Sequence, residues 1–336
     1  MFRFILISIV LLGLVTIGVA GAGLYGFYYF GRALPDYHQL ADYDPPVMTR
    51  IHAGDGRLLA EYAIEKRVFV PVNAMPAKVI QAFVAAEDQH FFEHIGIDFI
   101  GVARAIVMNL KNIGSGRRLV GASTITQQVA KNFLLTNEVS WERKVKEAIL
   151  ALRIERAISK ERILELYLNE IYLGFQSYGV AAAALNYFNK SLNELTIAEA
   201  AFLAALPKAP NNYNPITRYS AALARRNWAI GRMLEEGFIT TRQASTAKAE
   251  LLEVREREEI EYVAAEYFTE EVRRELMSLY GEKKLYEGGL SVRSTLDSRL
   301  QKIADEVLRE GLERYDLRHG WRGPLGVLPE GMDNQI

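Results

Sequence analysis

From Pro76 to about residue 250, apolar residues recur at helical spacing almost without a break. That period restricts the chain to a mainly α fold. Val79, Ile80, Phe83 and Val84 form one apolar face that runs into Glu87, so this glutamate is expected at a helix end beside a buried surface. Helix starts are marked by residues that can cap free backbone N–H groups. Asp98 precedes a stripe of Phe99, Val102, Ile106, Val107 and Leu110, and Thr124-x-x-Gln127 forms a capping box for a helix through Leu134. Ser140 and Ser159 open two longer segments, and Thr196-x-x-Glu199 a further one. Helices are also predicted at Tyr178–Phe188, around Ser220–Glu236 and from Thr240.

The flanks read differently. No charge occurs from Phe4 to Phe30, a stretch longer than the roughly 20 residues that cross a bilayer. It reads as a retained anchor and not as a signal peptide cleaved at Ala20-Gly21-Ala22, because signal cores are about 7–15 residues long. Arg3 favours a cytoplasmic amino terminus, and Tyr25, Tyr28 and Tyr29 suit a membrane interface. Short β-branched runs at Val47–Ile51, Leu58–Tyr62 and Arg67–Val72 predict a hairpin or a three-stranded patch. After Leu251 come a charged stretch, an amphipathic segment, a strand within LSVRSTL and a helix from Asp297. The expected organisation is residues 1–32 as tip and transmembrane helix, 33–75 as a juxtamembrane segment with short strands, 76–250 as a helical domain, and 251–336 as a connector entering a further region.

Lys+Arg 40 against Asp+Glu 41 leaves a net charge of -1, so no global field draws the chain to nucleic acid. Any anionic ligand must be met locally. With Cys 0, disulfides, thiolate nucleophiles and cysteine metal sites are excluded.

Two stretches carry chemistry: EDQHFFEHIG from Glu87 to Gly96, and GASTITQQVAKN from Gly121 to Asn132. Within the first, His90 to His94 matches H-x-x-E-H, a zinc signature. Gly96 follows at once and no third ligand is marked, so metal ligands are not assigned. Ser245-Thr246-Ala247-Lys248 fits S-x-x-K, yet it lies in a polar helical stretch and no K-T-G triplet occurs. Glu87, among aromatics and imidazoles, and Glu147, beside Arg143, Lys144 and Lys146, are carboxylates in contrasting surroundings. Such contrast separates acid–base from electrostatic duties. The glycine-rich run IGSGRRLVG, carrying Arg117 and Arg118, predicts a mobile loop.

Together these blocks resemble the glycosyltransferase family 51 domain of class A penicillin-binding proteins, most closely of the 1A type. E-D-x-x-F-x-x-H-x-G is met by Glu87, Asp88, Phe91, His94 and Gly96, and G-x-S-T-I-T-Q-Q-x-x-K-N in full from Gly121 to Asn132. R-K-x-x-E is met by Arg143, Lys144 and Glu147, and K-x-x-I-L-E-x-Y-L-N from Lys160 to Asn169. R-R-x-x-V-L is met only by Arg225-Arg226, a block that reads as structural.

The resemblance implies a lysozyme-like helical domain behind an inner-membrane anchor, on the periplasmic side, without the family's transpeptidase domain. It implies polymerisation of lipid II into glycan strands by inverting transfer, with loss of undecaprenyl pyrophosphate. Glu87 would be the base. Glu147 would orient cations or hold a divalent ion such as Mg or Mn, no cofactor being required with certainty. Asp88, His94, Ser123, Thr124, Gln127, Gln128, Lys131, Asn132, Arg143 and Lys144 would bind substrate. Lipid II, the growing strand and other cell-wall synthesis proteins would be partners. A lysozyme-like lytic enzyme and a non-catalytic anchored scaffold are the alternatives.

Overall fold

The computed structural model describes residues 13, 18, 21, 25–32, 34–41, 43, 47–62, 68–112, 121–136, 138, 140–254, 262–320 and 323. The chain forms two compact units: residues 1–45 with 65–258, and residues 46–64 with 259–336.

The first unit is helical, as its periodicity predicts. Its helices are α1 (Ala77–Glu87), α2 (Phe99–Lys111), α3 (Ile125–Leu134), α4 (Trp141–Ala157), α5 (Lys160–Glu170), α6 (Val180–Phe188), α7 (Ile197–Ala205), α8 (Tyr219–Glu235) and α9 (Thr241–Ala249). The predicted caps form. Asp98, Ser140 and Ser159 accept backbone N–H groups, and Thr124, Thr196 and Thr240 make complete capping boxes. Each satisfies donors that the first helical turn leaves free.

At the centre lies α7, IAEAAFLAA, with Ala198, Ala200 and Ala201 through Ala205 all buried. A helix that is apolar on nearly every side belongs inside a core, and its small side chains let neighbours approach closely. Its neighbours α1 and α8 pack on it and on each other, while α3 packs against α4 and α5. The carboxyl end of α1 is thereby fixed by tertiary packing, and with it Glu87.

The second unit holds a three-stranded sheet in the order β2-β1-β3. β1 (Thr49–His52) and β2 (Leu58–Tyr62) form the predicted hairpin, with Ile51 opposite Ala60. The third strand is β3 (Ser291–Arg293), which runs parallel to β1 with Val292 beside Ile51. Residues 68–70 are not in a strand, so the hairpin draws its partner from the far end of the chain. Ile51, Leu59, Leu276 and Leu285 make a small core under α10 (Glu266–Glu287), and α11 (Ser298–His319) follows, started by Asp297.

The anchor predicted at 4–30 lies mostly outside the described residues, as do Arg117 and Arg118. Among the described residues no helix is long and apolar enough to cross a membrane. Residues 25–31 are helical, and Phe30 meets Trp141 edge to face with ring centroids 5.4 Å apart.

Candidate active site

The two signature stretches meet through Asp88. It follows α1 and accepts the backbone N–H of Ile125, the first residue of α3, at 2.9 Å. A carboxylate at a helix N-terminus is favoured by the partial positive charge there. His94 Nε2 lies 3.0 Å from both Asp88 oxygens, and the Gly96 N–H donates to His94 Nδ1 at 3.0 Å. Since Nδ1 accepts, the ring proton sits on Nε2 and points at Asp88. Thr124 closes the loop by donating its hydroxyl to the Gly96 carbonyl at 2.7 Å.

Gly96 has φ +100, and a Cβ there would stand 2.6 Å from the Ala151 carbonyl oxygen. Gly96→Ala is therefore expected to destabilise the unit by about 2–4 kcal/mol, the sum of a left-handed backbone and a clash with α4. Urea unfolding checks this, and an unchanged midpoint would refute the close approach.

Glu87 and Asp88 line a cleft of about 460 Å³, together with Ser123 and Thr124. Burial raises the Glu87 pKa above the ordinary carboxylate value. A hydrogen bond from Gln128 Nε2 to Glu87 Oε2, 2.8 Å long, opposes that rise, as do the charges of Arg225 and Lys208, while Asp88 adds to it. Four basic side chains, Arg104, Lys208, Arg225 and Arg232, share the cleft wall with Glu87, Asp88 and Asp98. In a chain of net charge -1 this is a local gathering of positive charge.

Glu147 is 1% exposed on α4. Its two oxygens are held by Arg143, one turn earlier, and by Lys144. Lys144 Nζ also donates to Ser123 Oγ at 2.7 Å, which ties this cluster to the cleft wall. A divalent ion such as Mg or Mn beside Glu147 does not fit this donor set, because cationic donors occupy both oxygens that an ion would need.

The H-x-x-E-H match from His90 to His94, to which no metal ligands are assigned, lacks the helix that such a pair of ligands needs. The residues between them form turns and not a helix, and His90 pairs with Asp98 while His94 pairs with Asp88. Among the described residues no group of three or more His, Asp or Glu is set to hold a metal. Ser245 sits on α9 and donates to the Thr241 carbonyl, a helix-surface role.

Several residues expected to contact substrate also make bonds within the fold. Gln127 Oε1 accepts the Thr124 N–H at 3.0 Å in the capping box, and His94 is turned onto Asp88. Lys131 and Asn132, in the last turn of α3, do not line the cleft. Gln128 reaches Glu87 directly.

Sequence reasoning missed Arg225. The two arginines of the fifth block are split by the 100° step between neighbours on a helix. Arg226 is fully buried and donates to the carbonyls of Glu250 and Lys248. Arg225 faces the cleft, its guanidinium 3.6 Å above the Trp228 ring. Reading the block as structural is thus right for Arg226 and incomplete for Arg225. The cleft-lining Lys208 carried no sequence signal of its own.

The chain is similar to known proteins over most of its length. The pattern of the family described as Transglycosylase matches residues 55–234. Penicillin-binding protein 1A of Rickettsia felis is 50% identical over 322 residues, covering 96% of this chain and 40% of that protein. The Escherichia coli protein of the same name is 43% identical, covering 92% of this chain and 36% of its own. A crystal structure of Penicillin-Binding Protein 1A from Haemophilus influenzae is 30% identical with a TM-score of 0.46, covering 86% of this chain and 32% of that one. The chain thus spans about two fifths of the length of these curated relatives. The matched span encloses Glu87, the Arg143, Lys144 and Glu147 cluster, and Arg225, and the chain belongs to the transglycosylase family.

Proposed function

We propose that this chain is a peptidoglycan glycosyltransferase that extends glycan strands from lipid II. The observation that carries the reading is the pairing of a partly desolvated Glu87 with a cationic cluster tied to the same cleft through Lys144 and Ser123. Glu87 takes the proton of the acceptor sugar's 4-hydroxyl as that oxygen attacks the donor's anomeric carbon. The raised pKa brings the base nearer working pH, where proton transfer is most effective.

The breaking bond leaves its electrons on undecaprenyl pyrophosphate, and Arg143 and Lys144 meet that charge, held in register by Glu147. Attack with direct departure of the diphosphate inverts the anomeric centre. Positive charge on the cleft wall at Arg225 and Lys208 favours the ionised form of Glu87 and draws anionic substrate inward. A lytic enzyme cutting neutral glycan has no departing diphosphate to neutralise, so Arg143 and Lys144, held on the buried Glu147 carboxylate, favour the polymerase.

A lipid-linked substrate asks for a bilayer close by. Phe99, Ile100, Ile106, Val107 and Leu110 are exposed on α2, the helix that lends Arg104 and Met108 to the cleft. That apolar face supports a site at the bilayer surface, with residues 1–32 as the anchor in the cytoplasmic membrane and the cleft on the periplasmic side. Other cell-wall synthesis proteins are the expected partners there.

The test is to incubate the chain, in detergent, with labelled lipid II and separately with finished peptidoglycan. Long glycan from lipid II and no release from the finished polymer is the expected result. Release of fragments would establish the lytic alternative, and no turnover of either would leave the scaffold.

A further inference from the structure

Tyr167 has no task in the reaction outlined above, and its setting calls for one. It lies on α5 at 1% exposure, and its hydroxyl has no hydrogen-bond partner among the described residues. A hydroxyl buried without a partner is costly, and phenylalanine would fill the same space without that cost. Packing places the ring beside α1. The Tyr167 ring stands edge-on to Phe83, centroids 6.3 Å apart at 75°. Phe83 precedes Glu87 by four residues on α1, so the two share a face.

Burial, reinforced by the charges of Glu87 and Asp88, holds the phenol protonated well above the ordinary tyrosine value. It is therefore a hydrogen-bond donor throughout the working range. The other groups acting on Glu87 are Gln128 from α3, Arg225 from α8, Lys208, and the adjoining Asp88. Gln128 occupies Oε2 of Glu87, and among the described residues no donor meets Oε1.

We propose that Tyr167 is a positioning residue for Glu87, its buried hydroxyl being the donor that receives the carboxylate when Glu87 is ionised. The phenol keeps its proton at every stage. The proton that moves is the acceptor hydroxyl's, and it goes to Glu87. A base anchored on both oxygens, by Gln128 and by Tyr167, keeps its lone pair aimed at the cleft. The rate consequence rests on the glycosyl-transfer reading, whereas the effect on Glu87 does not.

Two measurements test it in the full chain. The first follows the carboxyl ¹³C signal of Glu87 against pH, identified by its absence in Glu87→Gln. In Tyr167→Phe, which keeps the ring and removes only the hydroxyl, Glu87 is expected to titrate about one pH unit higher, since a hydrogen bond to its charged form is lost. Site-specific 3-fluorotyrosine at 167, a stronger donor of the same shape, is expected to move it the other way. The second is the pH profile of lipid II polymerisation. Its acidic limb should move up with the titration, giving about tenfold lower kcat below the limb with KM unchanged.

Superimposable Glu87 titrations in wild type, Tyr167→Phe and the fluorotyrosine protein would overturn the proposal, even with polymerisation intact. A shifted Glu87 in a chain that polymerises nothing would uphold it and remove the glycosyl-transfer reading instead.

Discussion

Glu87→Gln is expected to lower the rate of lipid II polymerisation by about 10²–10⁴, the usual contribution of a positioned general base. Glutamine has the same shape and can still accept the Gln128 amide, so the α1 terminus and the cleft wall stay in place. What disappears is the lone pair that takes the sugar proton. The same substitution should stabilise the fold at neutral pH. The folded-state pKa of Glu87 is raised by burial, so its favourable linkage is present below the unfolded value and is lost as pH rises through the folded one. Glu87→Gln should therefore unfold at a higher temperature than wild type near pH 7. The difference should vanish below about pH 4, where both proteins are uncharged at this position. Wild-type polymerisation by this variant would remove Glu87 from the role of base.

Glu147→Gln should act through a different link. The native carboxylate holds Arg143 and Lys144 side by side, and two like charges brought together repel unless an anion lies between them. With a neutral amide the pair separates and Lys144 loses its hold beside Ser123. Turnover is expected to fall by about 10²–10³, the loss seen when one preorganised charge-stabilising group is removed, with little change in KM for lipid II. Stability should fall by about 1–2 kcal/mol, since the substitution removes charge-assisted hydrogen bonds to a buried carboxylate while its cationic partners keep access to water. Denaturant unfolding reads the second effect, and kcat per folded molecule the first. A large KM effect with kcat intact would reassign Glu147 to substrate binding.

The helices were legible because their signals are local. Asp98, Ser140 and Ser159 satisfy N–H groups within three residues of themselves, and the Thr124 and Gln127 box is complete within one turn. The Arg143 and Glu147 pair was legible for the same reason, being four residues apart on one helix face. Long-range placement was not. Nothing near Asp88 announces that its partner is the Ile125 N–H, and nothing near β1 announces that its second neighbour is β3. The H-x-x-E-H match failed because it presumes a helix, whereas Asp88 and Asp98 draw the two imidazoles apart. Arg225 and Arg226 are chemically identical neighbours, and only the packing of α8 against α7 and α1 decides which one meets the cleft.

Period, caps and i, i+4 pairs are properties of a few adjacent residues, so the helical class, the helix starts and the two carboxylates with their contrasting neighbours could be read from the chain alone. Only the assembled helices settle which cations reach Glu87, how Lys144 joins Glu147 to the cleft, and that the Tyr167 hydroxyl lies buried without a partner among the described residues. Those facts depend on where separate helices come together, and close packing around α7 sets that.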